Sequence, residues 1–158
     1  MAAVAETFPS FHYCFASDSR RAARRDLHAA WSEHGLQPSQ IYTDARSNQA
    51  TNAERADLWI ASPSCEEFSS RNHHTSPLRI AQGLAVFAKA LEYVHRRHPR
   101  VIVVENVDTA EAVAGISALL LPIAAYDWHG GPICPHAHGG LPVSRPRFLW
   151  IGFLRTNG

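Results

Sequence analysis

Residues 57–71, Asp57-Leu-Trp-Ile-Ala-Ser-Pro-Ser-Cys-Glu-Glu-Phe-Ser-Ser-Arg71, carry the strongest structural signal in the chain. Residues 57–62 form a short apolar run that predicts a buried strand. Pro63 breaks this run, so Cys65 falls on the polar loop just past the strand's carboxyl end. In open α/β sheets, ligands and reacting groups collect at that end. A Cys on such a loop is a candidate nucleophile, although free Cys is also among the most buried residue types.

Two later segments strengthen the case for a reactive site. Arg100-Val-Ile-Val-Val-Glu-Asn-Val107 predicts another buried strand, which ends with the carboxylate of Glu105. In Leu141-Pro-Val-Ser-Arg-Pro-Arg-Phe-Leu-Trp-Ile-Gly-Phe153, Arg145 and Arg147 come just before an apolar strand. A cysteine, a carboxylate and an arginine pair, each at a strand terminus, form a set that strengthens the interpretation of Cys65 as a candidate nucleophile.

The rest of the chain alternates strand and helix patterns, which predicts an α/β fold with a mostly parallel sheet. The final strand is expected to be antiparallel to its neighbour. The predicted strands are residues 11–16, 40–43, 57–62, 101–104, 123–128 and 148–154. The predicted helices are residues 19–34, a short one within 47–55, 77–98 and 109–121, and residues 130–142 are a predicted loop.

Composition predicts a globular intracellular protein, located in the cytoplasm or in the nucleus or nucleoid. The chain has 158 residues, 46% of them hydrophobic and 18% charged, enough for one domain with a core. Its net charge of +1 provides no global basic field. Cys14, Cys65 and Cys134 are odd in number and far apart, which suits a reducing compartment. The sequence has no membrane-length apolar run and no signal-peptide pattern.

The three reactive segments resemble, in type and order, the catalytic part of the DNA cytosine methyltransferases that act at ring carbon five. In that family a Pro-Cys-Gln-x-Phe-Ser loop carries the nucleophile, a Glu-Asn-Val strand end carries the acid, and a Pro-Gln-x-Arg-x-Arg segment carries two arginines. Here Ser64, Glu66 and Val143 depart from that pattern. The matching residues are Pro63, Cys65, Phe68, Ser69, Glu105, Asn106, Val107, Pro142, Arg145 and Arg147.

This resemblance implies a partial Rossmann-like methyltransferase fold, with helices on both faces of the sheet, in which residues 1–158 form a single, incomplete catalytic domain. It implies that the Cys65 thiolate attacks carbon six of a cytosine flipped out of DNA. Glu105 would protonate ring nitrogen three, and S-adenosylmethionine would methylate carbon five. A thiolate needs positive charge nearby, and Arg145 is the first candidate for that role, with Arg147 second.

Acidic residues at two other strand ends are candidates for cofactor binding. Carboxylates there can accept hydrogen bonds from the ribose or amine of a nucleoside. The resemblance implies that Asp18 holds the ribose of S-adenosylmethionine, that Asp44 holds its adenine, and that Pro63 belongs to the same pocket. The alternative for each aspartate is a helix cap or a turn.

Two parts of the family pattern are absent from this sequence. A Phe-x-Gly-x-Gly cofactor loop is expected before residues 11–16, but residues 1–10 contain no glycine. The target-recognition domain would follow residue 158. The sequence therefore predicts a fragment, or a subunit whose partner polypeptide carries the glycine loop and the recognition domain. Two alternatives stay open: an inactive methyltransferase-like module that binds nucleic acid or protein, and a zinc site at Cys134, His136 and His138, with His129 nearby.

Overall fold

A computed structural model describes residues 11–32, 35–68, 76–134, 136–137 and 145–155. The chain divides into two compact units, each with its own internal contacts. The first comprises Met1–Arg55 and Glu92–Arg97, and the second comprises Ala56–Leu91 and His98–Gly158. The single domain predicted from the sequence remains a prediction. In the described part of the chain, no helix is long and apolar enough to cross a membrane.

The first unit contains a small parallel sheet made of β1 (Ala16–Ser17) and β2 (Ile41–Tyr42). Both strands are shorter than the predicted residues 11–16 and 40–43. Residues 11–15 are held by aromatic packing: the ring centroids of Tyr13 and Trp31 are 4.8 Å apart, as are those of Phe15 and Tyr93. The unit's helices are α1 (Arg21–Trp31), a 3-10 turn (Pro38–Gln40), α2 (Asn48–Thr51) and α4 (Glu92–Arg97).

Helix α4 is attached to the first unit by side chains that reach back to the end of α2. The hydroxyl of buried Tyr93 donates to the Glu54 carbonyl at 2.8 Å, and Arg97 donates to the Asn52 carbonyl at 2.6 Å. The sequence predicts one helix over residues 77–98. The structure interrupts it at Leu91, whose backbone stays near-helical (φ −64°, ψ −12°). The prediction therefore did not miss a loop at this point. It missed that the residues before and after Leu91 belong to different units.

The second unit is built on a four-stranded sheet with the order β3-β4-β6-β5. β3 and β4 are parallel, while β6 is antiparallel to both β4 and β5. The α/β class and the antiparallel final strand are confirmed, but the sheet is more mixed than the mostly parallel one predicted. Its strands are β3 (Leu58–Ala61), β4 (Val101–Val107), β5 (Tyr126–Ile133) and β6 (Arg147–Leu154).

Strand β5 extends into the predicted loop over residues 130–142. The Gly-Gly-Pro sequence that predicts the loop instead suits an edge strand, because Gly permits close approach and Pro is tolerated at an edge. A Cβ on Gly130 would lie 2.9 Å from the Phe148 ring, so the ring of β6 packs directly on the β5 backbone.

Helix α5 (Ala110–Leu120) covers one face of this sheet. Ile102, Val104 and Asn106 alternate along β4 and are fully buried. On the same face, the Trp150 indole of β6 donates to the Ser117 hydroxyl of α5 at 2.9 Å. Helix α3 (Pro77–Ala90) meets α5 at Gly115, where a Cβ would lie 2.8 Å from Leu84. Glu105 and the odd-numbered residues of β4 therefore point to the opposite face.

Candidate active site

The loop that carries Cys65 leaves β3 and is tied to the end of β4. The side chain of Asn106, only 1% exposed, donates from Nδ2 to the Pro63 carbonyl at 3.1 Å. The Oδ1 atom of Asn106 accepts from the Val107 backbone N–H at 2.8 Å. Both ends of this buried amide are therefore satisfied, and it fixes the loop two residues before the thiol.

A second attachment holds the other end of the same loop. The Cys65 carbonyl accepts from the Phe68 N–H at 3.1 Å, which closes a turn after the thiol. The Thr109 hydroxyl donates to the Phe68 carbonyl at 3.4 Å and also caps α5 by accepting from the Ala112 N–H. Cys65 is half-buried and lies between these two attachments. Such anchoring suits a nucleophile, because reacting groups must be held in position.

Glu105 lies on the other face of β4 and has a partner on each carboxylate oxygen. The Ser62 hydroxyl donates to Oε2 at 2.6 Å. The Arg147 Nε lies 2.5 Å from Oε1. In the antiparallel register Val107 is opposite Arg147, so Arg147 reaches Glu105 as a diagonal neighbour across the two strands. This charge-assisted pair fixes the orientation of the carboxylate.

The two arginines predicted for the site occupy different environments. Arg147 begins β6, is mostly buried and pairs with Glu105. Arg145 lies just before the strand and is exposed. The residue ranked second from the sequence is therefore the one that contacts the predicted acid. The catalytic roles of Cys65, Glu105, Arg145 and Arg147 remain predictions.

Asp18 and Asp44, in the first unit, have the same local arrangement at the carboxyl ends of paired strands. The Asp18 Oδ1 accepts from the Arg20 backbone N–H at 2.7 Å, and the Asp44 Oδ1 accepts from that of Arg46 at 2.8 Å. Each carboxylate also pairs with the guanidinium of the same arginine, at 3.3 Å and 2.8 Å. Both aspartates therefore act as turn residues, the alternative to cofactor binding, because each accepts from the backbone N–H two residues later. Their contacts with a cofactor remain predictions.

Neighbouring arginines lower the pKa of both aspartates. Burial by itself would raise the pKa of Asp18, but hydrogen bonds from Arg20 and the charges of Arg20 and Arg24 outweigh it and hold this pKa below its usual range. Hydrogen bonds from Arg46 lower the pKa of Asp44. Both side chains are therefore acceptor-only carboxylates at neutral pH, the form that hydroxyl and amine donors of a nucleoside would require.

Sequence reasoning missed Ser62 and Thr109 and assigned no role to Asn106. Asn106 is inside the Glu-Asn-Val motif, and Thr109 is a recognisable helix cap. The contact between Ser62 and Glu105 had no signal in the sequence, because it depends on the register of β3 against β4. Ser69, Pro142 and Val143 lie outside the described residues, as do residues 1–10.

The zinc alternative finds no support among the residues that the structure describes. Within them, no three His, Cys, Asp or Glu side chains lie close enough to hold a metal ion. The His129 ring packs edge-on against Phe153, with centroids 5.8 Å apart. Cys134 follows β5, and His138 lies outside the described residues.

Comparison with known proteins supports the predicted fold. No protein-family model and no curated protein matches the chain. The S. pombe Dnmt2 methyltransferase is 22% identical, with a TM-score of 0.58 over 92% of this chain and 42% of that one. A protein described as a DNA modification methyltransferase of an E. coli prophage is 17% identical, with a TM-score of 0.59 over 89% and 40% of the two chains.

A third solved structure agrees with these two. The Entamoeba histolytica methyltransferase EhMeth is 16% identical, with a TM-score of 0.56 over 90% of this chain and 45% of that one. At identities this low, a structural match establishes the fold alone. The three matches confirm a partial methyltransferase-like fold. This chain spans less than half the length of each of the three proteins.

Proposed function

We propose that this chain is part of an S-adenosylmethionine-dependent methyltransferase that acts on carbon five of cytosine in DNA through a covalent adduct with Cys65. The observation that carries the proposal is the pairing of Glu105 with Ser62 and Arg147, next to the anchored loop of Cys65. The methyltransferase folds of the three structural neighbours support it.

In this proposal each reactive side chain has one task. The Cys65 sulfur forms a bond to carbon six, and Glu105, held by Arg147, donates a proton to ring nitrogen three, which accommodates the displaced electrons. S-adenosylmethionine, when bound, supplies the methyl group to carbon five, and Asp18 and Asp44 would hold its ribose and adenine. A base then removes the proton from carbon five, the thiolate leaves as the double bond between carbons five and six re-forms, and the proton on nitrogen three returns to Glu105.

The adduct step can be tested without cofactor or base flipping. A single-stranded oligonucleotide that carries a thiol-trapping cytosine analogue presents an already unstacked base. We expect a covalent complex that survives denaturing electrophoresis, and no complex with Cys65→Ser. Cys134→Ser, which removes another half-buried thiol, should react like the parent. Lack of adduct in the parent, or adduct in Cys65→Ser, would count against the proposal.

We further propose that a second polypeptide supplies the glycine loop and the target-recognition domain. The chain alone is then expected to show no heat of S-adenosylmethionine binding in calorimetry, because a cofactor needs its loop for both affinity and position. Micromolar binding to the chain alone would contradict the need for a partner.

An accessory binding module is the second candidate function. It is favoured by the guanidinium groups of Arg20 and Arg46, which already occupy the carboxylates predicted to hold the cofactor. Such a module should bind DNA equally well with and without Cys65→Ser and should form no adduct.

A further inference from the structure

One face of helix α1 carries a stripe of basic side chains, formed by Arg21, Arg25 and His28. Residues spaced i, i+4 and i+7 lie in one row on the same side of a helix. Arg21 and Arg25 are exposed, and His28 is half-buried. Four arginines and one aspartate give residues 20–28 a net charge of +3, whereas the whole chain has +1. Positive charge is therefore concentrated in this segment of the first unit.

The acidic residue of α1 does not neutralise the basic stripe. Arg21 and Arg25 are one turn apart, and like charges at that spacing destabilise a helix. Every residue three or four positions from Asp26 is an alanine: Ala22, Ala23, Ala29 and Ala30. Neither Arg21 nor Arg25 has an ion pair with any residue that the structure describes. In α4, by contrast, Arg96 pairs with Glu92 one turn before it at 3.5 Å, as is usual on a solvated helix face.

The two arginines beside the stripe have structural tasks. Arg20 pairs with Asp18 at 3.3 Å. The Nη1 atom of Arg24 donates to the carbonyls of Asp18 and Ser19, both at 2.7 Å, and so holds the chain where it enters the helix. Within the described part of the chain, the side chains of the stripe make no contact of this kind. The fold therefore gives no reason for placing these like charges together, which indicates a functional one.

The length of the stripe matches the spacing of phosphates in a nucleic acid. From Arg21 to His28 the helix rises by about 10 Å, a distance over which one strand of a duplex presents about three phosphates. A guanidinium group binds phosphate through two parallel hydrogen bonds, and a histidine ring donates a further N–H. Exposed Ala22 and Ala29 lie beside Arg25, and their short side chains leave room for a strand to approach.

We propose that the basic stripe of α1 binds the phosphate backbone of a nucleic acid, an inference that rests on the nucleic-acid substrate of the function proposed above. A protein partner is less suited, because protein interfaces have an apolar centre and the side chains beside Arg25 are alanines. Phosphate contacts fix the position of a nucleic acid without reading its sequence. The chain has no global basic field, so this local attraction adds affinity that the residues around Cys65 need not supply.

The test uses the full chain and a fluorescent DNA duplex made of A·T pairs only. This probe contains no cytosine, so it cannot form the adduct with Cys65. An RNA duplex of A·U pairs is the second probe, because both carry the same phosphate groups. Fluorescence anisotropy measures the affinity at several salt concentrations. Each phosphate contact contributes about 0.9 to the slope of log K against log salt, so contacts by Arg21 and Arg25 alone predict roughly a tenfold loss of affinity between about 50 and 200 mM salt.

Variants of the chain locate the contacts. Arg21→Gln and Arg25→Gln should each reduce that slope by about 0.9, and the double variant by about 1.8. Glutamine has nearly the helix propensity of arginine, so α1 should stay folded. Arg25→Lys should keep the parent slope, because an ammonium group also binds phosphate. Arg155→Gln is the matched control: it removes one charge from an exposed residue of the second unit, which pairs with Asp127, and should leave the slope unchanged.

Binding of the DNA duplex, the RNA duplex or both, with these slopes, supports the proposal and identifies the kind of nucleic acid. A parent that binds neither duplex at low salt, an equal slope in the parent and the double variant, or an equal loss in Arg155→Gln would each overturn it. If neither duplex binds and polyglutamate binds the parent but not the double variant, the stripe serves an acidic protein instead. The adduct experiment uses a single-stranded probe and depends on Cys65, so its failure is distinguishable from failure of duplex binding.

Discussion

The carboxylate of Glu105 has a different partner on each oxygen, and this arrangement gives Ser62 a positioning role. Arg147 contributes a positive charge beside Oε1. The Ser62 hydroxyl, 2.6 Å from Oε2, fixes the orientation of the carboxylate. A predicted proton donor must present one lone pair or proton to the substrate ring, so the geometry of the carboxylate matters as much as its charge.

Replacing Ser62 should slow adduct formation and leave nucleotide binding unchanged. Hydrogen bonds to charged groups contribute about 1.5–3 kcal/mol, so Ser62→Ala is expected to lower the maximal adduct rate by about tenfold to a hundredfold. The concentration of oligonucleotide at half-maximal rate should not change. Ser64→Ala is the control, because the Ser64 hydroxyl accepts from the Glu66 N–H within the loop. An equal decrease of the maximal adduct rate in both variants would indicate a general effect on the loop.

The arginine-clamped aspartates predict how stability depends on pH. The folded pKa of Asp44 is below its unfolded value, so ionised Asp44 stabilises the fold fully above about pH 4. That stability is lost as the pH falls through the folded pKa. Asp44→Asn should therefore reduce the midpoint of urea unfolding at pH 7 and have a smaller effect at pH 3. Asn48→Ala, at an exposed position without an ionisable side chain, should have the same effect at the two pH values.

The elements with continuous apolar runs were predicted well, because burial alone determines them. β3, β4 and β6 each differ from their predicted bounds by a few residues at most. β1 begins later than predicted, at Ala16, and the aromatic side chains of Tyr13 and Phe15 pack against Trp31 and Tyr93. β5 was predicted as residues 123–128 only, because Gly and Pro are common to loops and to edge strands.

Glycines in paired strands test the packing of the sheet. A Cβ on Gly152 of β6 would lie 2.7 Å from the Trp128 ring, whereas one on Gly131 of β5 would have no atom within 4 Å. Gly152→Ala should cost about 1–3 kcal/mol in the free energy of unfolding, since overpacking forces the ring to move. Gly131→Ala should change it by no more than about 0.5 kcal/mol. Similar losses in both would show that strand propensity, and not the ring contact, is responsible.

The bond between Asn106 and Pro63 links two elements and should be costly to remove. Asn106→Ala leaves the Pro63 carbonyl and the Val107 N–H without their side-chain partner and opens a small cavity in the core. A loss of about 2–4 kcal/mol is expected in urea unfolding. Asn48→Ala, at an exposed position in α2, is the control. A loss below about 0.5 kcal/mol would mean that the loop does not depend on this amide.

For the whole molecule, the sequence indicated more about chemistry than about architecture. Motif order singled out Cys65, Glu105 and the arginine pair, and the structure brings Glu105 and Arg147 into contact. The sequence could not indicate the contact of Ser62 with Glu105, nor which of Arg145 and Arg147 reaches Glu105, because both depend on strand register. Nor could it show that residues 77–98 contribute to two units, because the helical pattern continues through Leu91.

Helix α4 also has a consequence for biosynthesis. The first unit is discontinuous in the chain, because Tyr93 and Arg97 complete contacts begun by Phe15, Asn52 and Glu54. On the ribosome, residues 11–55 must therefore wait, incompletely packed, until residues 56–97 have emerged. The first unit can therefore close only after the first segment of the second unit has been synthesised, and during that interval the nascent first unit is exposed to chaperones and proteases.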